Sequence, residues 1–310
     1  MSTRPDSLDQ PTDPDRVFYE QGVMLDKEDF RAEQDYHRGR LARALAFLDG
    51  SGTVAGLEVT IVPPAEEGLD PDAEEVHVAP GLALDRIGRL VEVPSMPNAL
   101  PGRCIRLSKW LEFQEAGRAK DQAGFERSER LRKAFHPDGD PGAAPPAPGH
   151  LIVDVLLRFA ACGRGKTPAF AAGPFDALDA VQPSRIRDGF ELALVPREEA
   201  EPPLPQSYWA EVASLPQAER AARLRQLIFG AWDRFRPRKR SDPFANDPVV
   251  PDWLDPQNDK HWLFLARLRI PCADGGIDRP AVRDATRPVE VRNDDRAFVY
   301  TAAALAQLLI

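Results

Sequence analysis

The sequence predicts an α+β protein in which an N-terminal amphipathic helix leads into a small antiparallel β-module, then a linker, then a second β-rich α+β domain. Three observations carry this expectation. Apolar residues recur at spacings of three and four over 26–48, and short runs with strand period, separated by glycine and proline turns, follow over 53–93. Long apolar runs then return at 151–161 and 185–195, beyond a tract rich in proline and glycine. A chain of 310 residues is long enough for two domains, each with its own core.

Taken in order, residues 1–16 are polar and proline-bearing and read as a flexible lead. The helix plus β-module is placed at 17–100. Asp26 is the expected N-cap, with Asp29 closing a capping box and Leu25 placed to staple onto Phe30. Phe30, Gln34, His37, Leu41, Ala44 and Leu48 form one stripe expected to face a partner, leaving Arg31, Asp35, Arg38 and Arg43 to water. Glycines after Asp49 end the helix, and strands follow at 53–62, 75–79 and 82–93, the last turning through Gly88. Residues 101–149 hold a strand near 103–107, a charged helical piece at 114–135 and the linker at 137–149. The second domain, 150–310, alternates strand-like runs with a helical region at 208–235 and ends in an apolar helical tail at 302–310 expected to dock.

Composition narrows the function classes. Apolar residues at 43% and charged residues at 29% describe a folding chain, while a net charge of −9 opposes broad binding to nucleic acid or anionic lipid. No run approaches the roughly 18 apolar residues of a membrane span, so no membrane insertion is expected and the protein is placed in the cytoplasm, unless a larger particle carries it out. Cys104, Cys162 and Cys272 are far apart and fit neither a disulfide framework nor a zinc site. His37, His77, His136, His150 and His261 stand in no metal-gathering spacing. The segment Gly163-Arg164-Gly165-Lys166-Thr167 lacks the upstream glycine of a phosphate loop and runs into Pro168, so it reads as a turn between strands. Neither a catalytic site nor a cofactor or metal is expected.

Four segments form an ordered pattern: Tyr19-Glu20-Gln21-Gly22-Val23-Met24-Leu25, then Asp29-Phe30 with Glu33-Gln34-Asp35-Tyr36, then 52–59, then Val78-Ala79-Pro80-Gly81-Leu82-Ala83-Leu84-Asp85 with Gly88-Arg89. The pattern resembles a group of uncharacterised proteins associated with phage-tail-like contractile injection systems, over residues 19–93. That family has a hydrophobic-His-Gly turn before its first strand, where this chain has Phe47-Leu48-Asp49-Gly50. The resemblance implies a structural part of such a particle, at the baseplate, fibre base or an adaptor. Its partners would be other particle subunits and further copies of the chain, a trimer or hexamer by analogy with tail symmetry. Tyr19, Leu25, Phe30, Gln34, Tyr36, His37 and Leu41 are the expected interface residues. Two other classes stay open: an enzyme or toxin cargo with its active part in 150–310, and a carbohydrate- or peptide-binding β-module. The latter requires Trp110, Trp209, Trp253 and Trp262 to share an exposed platform.

Overall fold

A computed structural model describes residues 3–4, 6–9, 15–63, 74–95, 103–116, 122–135, 149–165, 167–168, 181–199, 201–202, 204, 210–234, 262–273 and 281–307. Within them the fold is α+β with antiparallel sheets. The elements run β1 (Thr3–Arg4), α1 (Lys27–Leu48), β2 (Gly52–Gly56), β3 (Val59–Val62), β4 (Glu75–Val78), β5 (Gly81–Leu84), β6 (Leu90–Val93) and β7 (Arg103–Arg106). They continue as α2 (Leu107–Ala116), α3 (Gln122–Phe135), β8 (His150–Arg164), β9 (Thr167–Pro168), β10 (Val181–Gln182) and β11 (Arg185–Pro196). The last are α4 (Ala210–Ala213), α5 (Gln217–Arg234), β12 (Leu263–Ala273), β13 (Val282–Arg283), β14 (Glu290–Arg292) and α6 (Ala302–Gln307).

The long strand β8 is the centre of the largest sheet. It pairs with β11 over Val153–Arg164 on one side and with β12 on the other, where β1 extends that edge through Thr3 opposite Cys162. Its two faces differ in chemistry, as a period of two demands. Leu151, Val153, Val155, Leu157, Phe159 and Ala161 enter the main core, while Asp154 and Leu156 on the opposite face are also buried. Burial on both faces explains why the sequence shows an almost unbroken apolar run rather than strict alternation. The β-module contributes two small sheets, β2-β5-β6 and β3-β4-β7. Leu57, Val59, Val76, Val78, Val91 and Val93 from that module share one hydrophobic cluster with β8, β12 and helices α2 and α3, so the segments on either side of 137–149 bury a common core. Of that tract only Gly149 lies among the described residues.

Helix α1 starts as the sequence predicts. Asp26 accepts hydrogen bonds from the backbone N–H groups of Glu28 and Asp29, and Asp29 returns one from the Asp26 N–H, closing the capping box. Asp26→Ala removes these acceptors, so a loss of about 1 kcal/mol in urea unfolding is expected, with Asp26→Ser largely restoring it.

Several expectations change. The single strand expected at 53–62 is two strands in different sheets, separated by Leu57, which is fully buried with φ +61. The lead at 1–16 carries β1 and a 3-10 turn at Ser7–Asp9, and its Asp6 is buried against Arg38 and Arg89. Of the tail expected to dock, α6 buries no residue and residues 308–310 lie outside the described residues; it is the stretch before α6 that attaches, with Thr53 N–H donating to Ala297 and Val299 N–H donating to Thr53. Around it, Arg296 donates to the Leu57 carbonyl at 2.7 Å, and the Asn293 amide bonds both the N–H and the carbonyl of Val59 at 3.0 and 2.9 Å. Burial draws the pKa of Arg296 down to about 10, against the opposing pull of the Glu58 and Asp294 charges.

Candidate functional site

The candidate site is the outer side of α1 together with the segment 17–25. It arises from the side of α1 that packs on the body. The residues α1 buries most are Ala42 and Ala46, and Asp35, Arg38 and Gly39 lie half-buried on the same side. On that side Ser7 donates to Asp35, Arg38 reaches Asp6 at 3.0 Å, and Leu8 packs over Gly39. The helix backbone also comes down onto the turn between β5 and β6. A Cβ on Gly88 would stand 1.8 Å from the Ala42 carbonyl oxygen, and Gly88 has φ +85. Small residues on α1 and glycine on the turn thus set a short helix-to-sheet distance.

That turn is built by the residues of the resembling pattern. Asp85, fully buried, accepts from the N–H groups of Ile87 and Arg89 and from Arg89 Nε at 2.6 Å. Arg89 also reaches Asp6 at 3.2 Å and lies 4.7 Å over the Phe159 ring, so one guanidinium ties the lead, the turn and β8 together. Upstream, Gly81 lets β5 lie close against the end of β2: a Cβ there would meet the Ala55 oxygen at 2.3 Å. The Asp-x-x-Gly-Arg segment and the Pro-Gly before it therefore serve backbone placement.

With small residues turned inward, the expected stripe faces outward. Phe30, Gln34, His37, Leu41, Ala44 and Leu48 are all exposed; of the side chains expected to face water Arg31 and Arg43 do so, while Asp35 and Arg38 lie half-buried against the body. Ahead of the helix, Phe18, Tyr19, Val23, Met24 and Leu25 are exposed as well, Met24 to 93% and Leu48 at the far end to 83%. Leu25 and Phe30 thus remain largely solvent-facing at the helix entrance. Tyr19 donates its hydroxyl proton to Glu33, a bond that raises the phenol pKa above its ordinary value, and the other Glu33 oxygen lies 3.8 Å from His37. Tyr36 is half-buried, edge-on to His37 with Arg40 5.3 Å over its ring. Of the seven expected interface residues, six are exposed on one surface and Tyr36 sits at its margin.

Other candidates fall elsewhere. The segment 163–165 leaves β8 through a left-handed Gly165 towards β9, a connection between strands rather than a phosphate loop. Trp110 is buried and donates to the Leu194 carbonyl at 3.2 Å, and Trp262 is half-buried beneath Arg158, 4.5 Å away. Trp209 and Trp253 lie outside the described residues. Among the described residues no group of three or more His, Cys, Asp or Glu side chains could hold a metal ion, and no helix is long and apolar enough to cross a membrane. The cysteines are free thiols, with Cys272 buried and the Cys104 pKa raised by burial and by the Glu75 carboxylate.

One buried charge cluster had no sequence signal. Asp154 on β8 accepts from Arg267 at 2.8 and 3.2 Å and from Arg197 at 2.8 Å, while Arg197 also grips Glu199 and Arg267 donates to the Pro202 carbonyl. Its acceptors are all filled by the chain's own arginines, so it pins β8, β11 and β12 together. Comparison of the chain with known protein-family models and with curated proteins finds no match to either.

Proposed function

We propose that this chain is a non-enzymatic assembly component of a phage-tail-like contractile particle, at its baseplate, fibre base or an adaptor. It acts by docking the outer face of α1 and the 17–25 segment onto other subunits. The observation that carries the docking half is the way α1 packs. A helix that turns Gly39, Ala42 and Ala46 inward and Phe30, Leu41 and Leu48 outward leaves these three large apolar side chains exposed among the described residues. Contiguous exposed apolar surface of this kind marks an interaction site. The particle half is supported by the resembling segments at 19–93, whose glycines, Asp85 and Arg89 hold α1 at its place on the module. On this reading the protein is made and assembled in the cytoplasm and leaves the cell only as part of the particle.

The reading is tested with the tagged full chain expressed in its native cells. Wild type is expected to sediment with large particles that show tail-like morphology by electron microscopy. Leu41→Glu, at a side chain 57% exposed, is expected to shift the chain to the slow fraction while circular dichroism and urea unfolding of the purified variant stay unchanged. Wild type found only in the slow fraction overturns the particle reading.

A further inference from the structure

The exposed stripe has the phase of a coiled-coil seam. The steps from Phe30 to Gln34, His37, Leu41, Ala44 and Leu48 alternate four and three residues, the heptad spacing of a and d positions. Charge along α1 is divided between its halves. Residues 27–36 hold Glu28, Asp29, Glu33 and Asp35 against Lys27 and Arg31, whereas 37–48 hold Arg38, Arg40 and Arg43 and no acid. A helix with an acidic first half and a basic second half repels a parallel copy and attracts an antiparallel one. From this seam and this charge division we infer that the outer face of α1 pairs antiparallel with the same face of a second copy of this chain. The inference rests on the reading of that face as a docking surface, and names its partner.

The antiparallel register follows from the heptad. Pairing a with d positions sets Phe30 against Leu41 of the partner subunit twice, on either side of two central layers in which Gln34 meets His37 of the partner subunit. Polar central layers fix the register, since sliding by a heptad would bury them against apolar side chains. Beside the seam, Glu33 faces Arg40 of the partner subunit, also twice. Arg38, which would otherwise oppose Arg31 of the partner subunit, is already neutralised by Asp6 of its own chain. Leu48 comes level with the partner's 23–25 segment, so the two most exposed large apolar side chains of the region, Met24 and Leu48, cover one another. The interface is isologous and closes at two chains. A threefold or sixfold ring would need a second, different surface.

The experiment is sedimentation equilibrium of the purified full chain over a range of micromolar concentrations, with Leu41→Glu, Glu33→Arg, Arg40→Glu and the double variant Glu33→Arg/Arg40→Glu. Wild type is expected as a dimer and Leu41→Glu as a folded monomer. Each single charge reversal sets like charges together twice and is expected to weaken the dimer about tenfold, with the double variant returning to near the wild-type constant. A dimer that the double variant does not rescue, or a trimer or hexamer, overturns the antiparallel pairing. A wild-type monomer overturns it also. In none of these cases is the docking role decided, because particle association of the Leu41→Glu chain is read separately and does not depend on self-pairing.

Discussion

Asp154→Ala is expected to lower the stability of the chain by about 3–5 kcal/mol, because it takes from two buried arginines the carboxylate they share in a region from which water is excluded. Asp154 and Arg197 are almost wholly inaccessible and Arg267 nearly so. With the carboxylate gone, Arg197 keeps Glu199 and Arg267 keeps the Pro202 carbonyl, but the acid that the two arginines share inside the sheet is lost. The loss should appear in urea unfolding as a lower midpoint with little change in slope. A double variant, Asp154→Leu with Arg267→Met, separates the two possible origins. If the penalty comes from uncompensated charge, replacing acid and base together by apolar side chains should recover much of it. If Asp154→Ala alone costs less than about 1 kcal/mol, the cluster is not the clamp described here.

The second large effect is expected at Gly88. Any side chain there meets two penalties: a left-handed backbone, φ +85, and a Cβ 1.8 Å from the Ala42 carbonyl oxygen and 2.9 Å from the Ala46 nitrogen. The first costs about 1 kcal/mol or more. The second cannot be relieved by rotating a side chain, since the obstacles are helix backbone, so α1 must lift from the turn. Gly88→Ala is therefore expected to cost about 3 kcal/mol and to open α1 to proteolysis under conditions where wild type resists. Gly50→Ala is the matched control. Gly50 has a similar φ of +79 and nothing within 4 Å of where its Cβ would stand, so only the backbone penalty should remain. Equal losses at the two positions would show that the close approach of helix and turn contributes nothing.

The elements that announced themselves in the sequence are those whose determinants are local. Asp26 and Asp29 mark the start of α1 because a capping box spans four residues, and β8 is visible because burial on both faces leaves an apolar run. The face that α1 buries was not legible. Hydrophobic periodicity weights Phe30, Leu41 and Leu48 above glycine and alanine, whereas close packing against a glycine turn selects Gly39, Ala42 and Ala46. The stripe expected to face a partner is exposed, and what periodicity did not show is which side of α1 the body takes. Asp6 is another such case, because its partners Arg38 and Arg89 lie far along the chain and nothing beside it marks the pairing. Strands as short as β1 and β13 carry too few residues to show a period.

The attachment of residues 293–299 to the β-module has a consequence for the order in which the protein can be made. Thr53 and the Leu57–Val59 corner leave a ribosome well before their hydrogen-bonding partners Asn293, Arg296 and Ala297, which follow more than 230 residues later. Until then the edge of β2 and the buried left-handed Leu57 lack the groups that satisfy them, and β1 waits for β8 in the same way. The module beneath α1 is therefore finished only after the strands of the larger sheet have been made. A chain cut short before Asn293 would present the apolar side of α1 on an unfinished support, and a truncated product of this kind is a natural substrate for chaperones and proteases rather than for assembly.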